Sequence, residues 1–246
     1  MSEAPETETG FPERIRVGIS SCLLGEEVRY DGQHKRDPYI NGTLSRFFEF
    51  VPVCPEVAIG LGIPREPIHL VAEKGEPVRV VGVRNPDRDV TDDLQAYGQG
   101  MARELSDIHG YILKRGSPSC GMERVKVYKP DGSPLTTARG AYAGAFMAER
   151  PQLPVEEEGR LGDPTLRENF IERVFVHERW HRQVAPEPTA RCLVDFHSAH
   201  KLLIMAHSQQ AYRRLGRLVG DAGTGDIAET AAAYFGELMS ALSQPA

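Results

Sequence analysis

The chain of 246 residues has four cysteines, at positions 22, 54, 120 and 192, and three of them keep unusual company. Cys22 stands in Ser-Ser-Cys-Leu-Leu-Gly, Cys54 in Cys-Pro-Glu, and Cys120 in Ser-Pro-Ser-Cys-Gly. Gly and Pro so placed set tight turns. Turns present backbone N–H groups, which stabilise thiolates and the sulfides of a cluster. Three soft thiolates are donors for a metal. A structural zinc wants four ligands and usually shows paired Cys-x-x-Cys spacing, which this sequence lacks. A catalytic zinc can use three cysteines and a water, and a cubane 4Fe–4S cluster on three cysteines leaves one iron open for chemistry. Three unrelated core cysteines are the remaining reading. Cys192 is isolated in an apolar stretch.

The segments around the three cysteines suggest how they could meet. Residues 14–20 are a Val/Ile-rich run that ends at the first cysteine loop, and residues 50–56 are a second such run, preceded by a possible short helix at 41–49. A hairpin-like stretch follows at 77–83. Residues 91–108 predict a helix with Thr91 as N-cap and Leu94, Tyr97, Met101 and Leu105 on one face. Residues 110–114 predict a third strand, leading to Cys120. Strands alternating with helices predict an α/β fold, a Rossmann-like parallel sheet with crossover helices. In such a sheet the C-terminal strand ends share one edge, where ligands bind. Cysteines about 32 and 66 residues apart would converge there.

The rest of the chain differs in character. Residues 1–13 read as a disordered acidic leader, and residues 14–150 as the domain that carries the cysteines. Residues 151–164, rich in Pro and acids, read as a linker. Residues 165–246 predict a smaller all-helical domain, with helices at 166–182, 191–216 and 226–242. No apolar run approaches the roughly 20 residues of a membrane span, and the N-terminus has no signal-peptide core; a cytoplasmic protein is expected. The net charge of −6 argues against a nucleic-acid surface over the whole chain. Residues 165–220 nevertheless carry nine Arg or Lys against five acids. There Lys201, Arg213, Arg214 and Arg217 are candidates for phosphate contact, the alternative being a solvated helix face. His197, His200 and His207 have no carboxylate or cysteine at ligand spacing and do not read as a metal site.

Three blocks carry a family resemblance: GISSCLLGEEVRYDGQHKRD (residues 18–37), PVCPEVAIGLGIPREPIHLV (52–71) and ILKRGSPSCG (112–121). Together they resemble the thiouracil desulfidase family, TudS. The resemblance implies a [4Fe-4S] cluster on Cys22, Cys54 and Cys120, Glu56 as the catalytic acid of the Cys-Pro-Glu motif, and Ser117 as the catalytic serine. It implies that the open iron takes the sulfur of a thiocarbonyl without net electron transfer. VDFHSAHKLLIMAHSQQAYRRLGRLV (residues 194–219) is similar to the YbgA-like helical domain fused to this family in its RNA-directed branch, RudS, which acts on 4-thiouridine in transfer RNA. That helical domain normally runs further than Ala246, so a truncated domain is expected.

On that basis the expected reaction exchanges C=S for C=O. Glu56, two residues beyond a ligand, would take a proton from the attacking water. Ser117 would hydrogen-bond the pyrimidine or shuttle a proton to it. Arg29, Tyr30 and Asp31 are candidates for the substrate pocket, with Tyr30 stacking on a base, and Lys114 for a phosphate. The bland roles are a first-turn acid for Glu56 and a turn former for Ser117. Two other functions stand beside this one: a desulfidase limited to free thiouracil, its helical domain serving partner contacts, and a non-enzymatic, metal-stabilised binding module.

Overall fold

The computed structural model describes residues 14–246, and the leader expected at 1–13 lies outside them. β1 (Ile15–Ser20) runs into a 3-10 turn at Ser21–Leu23, and α1 (Pro38–Gly42) leads through a second such turn to β2 (Phe48–Val53). Then come α2 (Pro55–Ala58), β3 (Ile68–Val71), β4 (Arg79–Gly82), α3 (Thr91–Glu104), β5 (Tyr111–Leu113), β6 (Val125–Tyr128), β7 (Pro134–Ala138), α4 (Ala141–Glu149) and β8 (Val155–Glu157). The remainder is helical: α5 (Pro164–Gln183), α6 (Ala190–His207), α7 (Gln209–Gly220) and α8 (Ile227–Leu242).

The main sheet has the order β2-β1-β5-β8 and is wholly parallel, as expected of a Rossmann-like arrangement. β1 is buried along almost its whole length, the pattern of a strand covered on both faces. Register then does the positioning. Ser20 pairs with Val53, and Ile19 with Ile112, so β1, β2 and β5 end in step. The three cysteine loops therefore leave from one edge. Beside this sheet lies a mixed one, β4-β3-β6-β7, in which β3 and β6 are parallel and the outer pairings antiparallel. The hairpin-like stretch of the sequence supplies one of its edges, β4.

α3 and α4 pack at close range. A Cβ on Gly98 would stand 2.7 Å from the Tyr142 carbonyl, so only glycine fits there. Tyr111 and Tyr142, both fully buried, share a hydroxyl hydrogen bond of 2.8 Å. The N-terminal half of α5 belongs to the sheet: Phe170 and Val174 pack with Val17, Ile19 and Ile112. Its C-terminal half joins a second core, where Trp180 stacks on Tyr234 and Phe235 of α8.

Four local expectations are corrected. Residues 151–164 are not a solvated linker, because β8 completes the main sheet there. Glu156 and Glu157 are buried, Glu156 bonding Arg160 and Glu157 accepting the Met122 N–H. The single helix expected at 191–216 is two, broken at Ser208, whose backbone is extended and whose hydroxyl caps α7 through the Ala211 N–H. Thr91 is the first residue of α3 rather than its cap, since its hydroxyl accepts the Val80 N–H and donates to Asp89. The helix expected at 41–49 has its only α-helical turn at Pro38–Gly42, and β2 has begun by Phe48.

Candidate active site

Cys22, Cys54 and Cys120 line one cavity of about 270 Å³ at the C-terminal edge of the main sheet. Each reaches it by a different local device. Cys22 sits in the 3-10 turn that continues β1, with its carbonyl fixed by the Lys35 N–H at 2.8 Å. Cys54 is the N-cap of α2, where Pro55 begins the helix and the thiol reaches the Val28 carbonyl at 3.7 Å. Cys120 lies in a turn built by Ser117, whose Oγ accepts the N–H groups of Ser119 and Cys120 at 3.2 and 3.1 Å. Glycine is needed next: a Cβ on Gly121 would stand 2.2 Å from a Val125 methyl, and one on Gly140 2.5 Å from the Ser119 carbonyl.

Burial sets the chemistry of the three sulfurs. It pushes the Cys22 thiol from 9.0 up to about 11, against the pull of Lys114 and Arg29, and the neighbouring Cys54 adds to the rise. Cys54 is raised by the same burial, partly offset by the Val57 and Glu56 N–H groups. Cys120 is raised furthest, again by burial first, with Glu56, Cys54 and Cys22 all contributing. These mutual influences mark three sulfurs clustered around one space. A metal would displace their protons on binding. The donor set is all sulfur, soft, and ringed by Arg29 and Lys114, which suits an anionic thiolate-held centre.

The carboxylate beside them is held on both oxygens. Glu56 Oε2 accepts from Arg65 Nε at 2.8 Å and lies 2.8 Å from its Nη2, while Oε1 accepts the Ser119 hydroxyl at 2.8 Å. Arg65 comes from the loop between α2 and β3, tied back by its own N–H to the Tyr30 carbonyl at 2.9 Å. Ser117 also lines the cavity. Its two lone pairs are taken by the N–H groups of Ser119 and Cys120, so the hydroxyl is left to donate.

Of the other candidates, Arg29, Tyr30 and Lys114 line the cavity and Asp31 does not. Asp31 instead orients Arg29, at 3.3 Å, and the Arg29 guanidinium lies 5.4 Å from the centre of the Tyr30 ring. The Lys114 ammonium is paired with Glu158. In the helical part Arg214 is paired with Glu237, whereas Lys201, Arg213 and Arg217 are exposed and have no ion pair among the described residues. His197, His200 and His207 go separate ways, to Tyr234, the Phe196 carbonyl and Glu172. Arg65 and Ser119 were not foreseen from sequence. The repeated serines of Ser-Pro-Ser-Cys and the arginine nine residues after Glu56 carry no spacing rule that would have picked them out.

Three thiols and a fixed carboxylate thus meet around one cavity at a parallel sheet edge, a donor set that could hold a thiolate-bound metal beside a carboxylate. The chain belongs to the 2-thiouracil desulfurase family, whose model matches residues 17–158. Residues 201–246 match a family described as a protein of unknown function, DUF1722. YbbK, an uncharacterized protein of Bacillus subtilis (strain 168), is 33% identical over 150 residues, which cover 59% of this chain and 97% of that one. YbgA, an uncharacterized protein of Escherichia coli (strain K12), is 43% identical over 49 residues, 20% of this chain and 29% of that one. A solved [4Fe-4S]-dependent thiouracil desulfidase, TudS, is 30% identical over 61% of this chain and 95% of its own, with a TM-score of 0.45. Among the described residues no helix is long and apolar enough to cross a membrane.

Proposed function

We propose that this chain removes sulfur from a thiolated uracil, with a [4Fe-4S] cluster on Cys22, Cys54 and Cys120 and with 4-thiouridine in transfer RNA as substrate. The balance is hydrolytic: the C=S carbon and water give C=O and hydrogen sulfide, and no electrons are exchanged. The observation that supports this most is the meeting of three thiols and Glu56 around one cavity in a chain of the desulfurase family. Bound there, the cluster supplies a soft Lewis acid that polarises a thiocarbonyl through its sulfur.

The protein's own residues supply the rest. Glu56, kept in place by Arg65 and Ser119, takes a proton from the water that attacks the carbon. Ser117 donates its hydroxyl hydrogen to an acceptor on the ring. Tyr30, exposed at the cavity mouth, offers a face for the base. Arg29 and Arg115 line the same cavity as cations for a nucleotide phosphate, while Lys114, paired with Glu158, shapes the wall. The exposed Lys201, Arg213 and Arg217 favour a polynucleotide over a free base, since such side chains set phosphate affinity. The deciding experiment assays anaerobically reconstituted protein on whole transfer RNA containing 4-thiouridine and on free thiouracil, measuring sulfide. Turnover on transfer RNA is expected to be much the faster. Turnover confined to free thiouracil would overturn the RNA assignment, and none on either would overturn the desulfidase.

A further inference from the structure

Away from the thiol cavity, three histidines lie together. His109 sits in the turn that enters β5, at the opposite end of that strand from the cysteine edge, and its N–H bonds the Arg16 carbonyl at 2.8 Å. His177 and His181 lie one turn apart on α5, within His177-Glu178-Arg179-Trp180-His181. Spacing of i, i+4 puts both rings on one helix face, and it is how paired helical histidines hold zinc. One ring nitrogen from each of the three lies within 4.8 Å of the other two. His109 Nδ1 is 3.0 Å from His177 Nδ1, and the rings of His177 and His181 stack at 4.1 Å. Neighbouring nitrogens on a tetrahedral zinc, with bonds of about 2.0–2.1 Å, stand about 3.3 Å apart. Only the His109–His177 separation is near that value; it is a hydrogen bond whose proton a bound ion would displace, and the stacked His181 ring would turn to bring its nitrogen to the ion.

The surroundings prepare the rings to ligate. His181 Nδ1 stands 2.8 Å from the His177 carbonyl, which can only accept, so Nδ1 carries the proton and Nε2 keeps its lone pair. A backbone carbonyl on the other ring nitrogen is the usual support of a metal-bound imidazole. Neutral imidazole is the ligating form. Arg150 donates to the carbonyls of Ala102, Leu105 and Ile108, and Phe235 packs against His177 and His181. Glu178, which follows the first helical histidine as in hydrolytic zinc helices, is engaged by Arg182 at 3.2 Å. With Glu178 so engaged and His177 only 2% exposed, the arrangement suits holding an ion rather than hydrolysis.

We propose that His109, His177 and His181 form a second metal site for one zinc-class divalent ion, which pins α5 to the entrance of β5. Three nitrogens with a water as fourth donor suit zinc and its neighbours and not the oxygen-seeking magnesium or calcium. The nearby Arg150 charge opposes a dication, so the affinity is modest. The site is independent of the desulfidase reading, because no atom of it touches the thiol cavity.

The test uses the full chain with its cluster in place, titrated with Zn²⁺ by calorimetry and melted with and without it. One zinc per chain beyond the cluster iron is expected, together with a zinc-dependent rise in melting temperature. His181→Ala and, separately, His109→Gln should weaken zinc at least tenfold and abolish the rise, with iron content unchanged. A chain carrying Cys22→Ser, Cys54→Ser and Cys120→Ser should still take one zinc. If the native chain takes no zinc outside the cysteines, or if both histidine variants bind it as tightly as the native chain, the site does not exist. Should one histidine variant fail to fold, the other and the cysteine-free chain decide.

Discussion

Glu56 comes to the cavity with both oxygens engaged, and that arrangement separates two kinds of residue around it. Removing the carboxylate should remove the base: Glu56→Ala is expected to retain its iron, read from absorbance, and to release sulfide at least about 100-fold more slowly, the usual scale of general-base catalysis. Ser119→Ala takes away one of the carboxylate's anchors while Arg65 stays, so a loss nearer tenfold with unchanged iron is expected. A Glu56→Ala protein of normal rate would end the base assignment. The histidines make a separate prediction about stability. His109 falls from its ordinary 6.5 to about 4 in the folded chain and His177 to about 2. A depressed value means that the unfolded chain binds protons first on acidification. In the zinc-free chain, stability from these rings is therefore complete above pH 6.5 and falls as the pH drops, through about 4 for His109 and on towards 2 for His177, which denaturation midpoints measured across that range should follow.

The elements were legible in the sequence where their signals are local. Periodicity found α3, α5 and α8, and the Val/Ile runs found β1, β2 and β5, so the edge where the cysteines meet was foreseen. Chemistry at a distance was not. Residues 151–164 look solvated because Glu156 and Glu157 are acids, yet Arg160 and the Met122 N–H, which satisfy them, are visible only in the fold. His109 stands 68 residues from His177, and no local pattern joins the two. Ser208 stops α6 by capping α7, a choice that an apolar-period reading passes over. Gly98 allows an experiment at this scale. Alanine in place of an interior helical glycine normally helps by roughly 0.5–1 kcal/mol. Here the added methyl meets the Tyr142 backbone at 2.7 Å, and Gly98→Ala is expected to cost about 1–3 kcal/mol instead, seen as a lower melting temperature.

At the scale of the molecule, α5 is a member of two cores at once, and the pieces on either side are consequently joined. Phe170→Ala, on the sheet side of α5, should cost about 3–5 kcal/mol and weaken the helical part too, so that far-ultraviolet circular dichroism and tryptophan fluorescence of Trp180 lose signal in one transition. Two separate transitions would show that the helix does not couple them. The exposed cations of the helical part make the other prediction: Arg213→Gln with Arg217→Gln should flatten the dependence of log affinity for transfer RNA on log salt by about 2, near one for each lost phosphate contact. Equal slopes would place the RNA elsewhere.

The reluctance of Cys22 to ionise also bears on its reactivity. A sulfhydryl with its midpoint at about 11 is nucleophilic in only about one molecule in ten thousand at neutrality, and its two companions are also disfavoured as anions. The cluster-free protein is thus expected to react slowly with alkylating agents at neutral pH, although three thiols stand together, and faster as the pH rises.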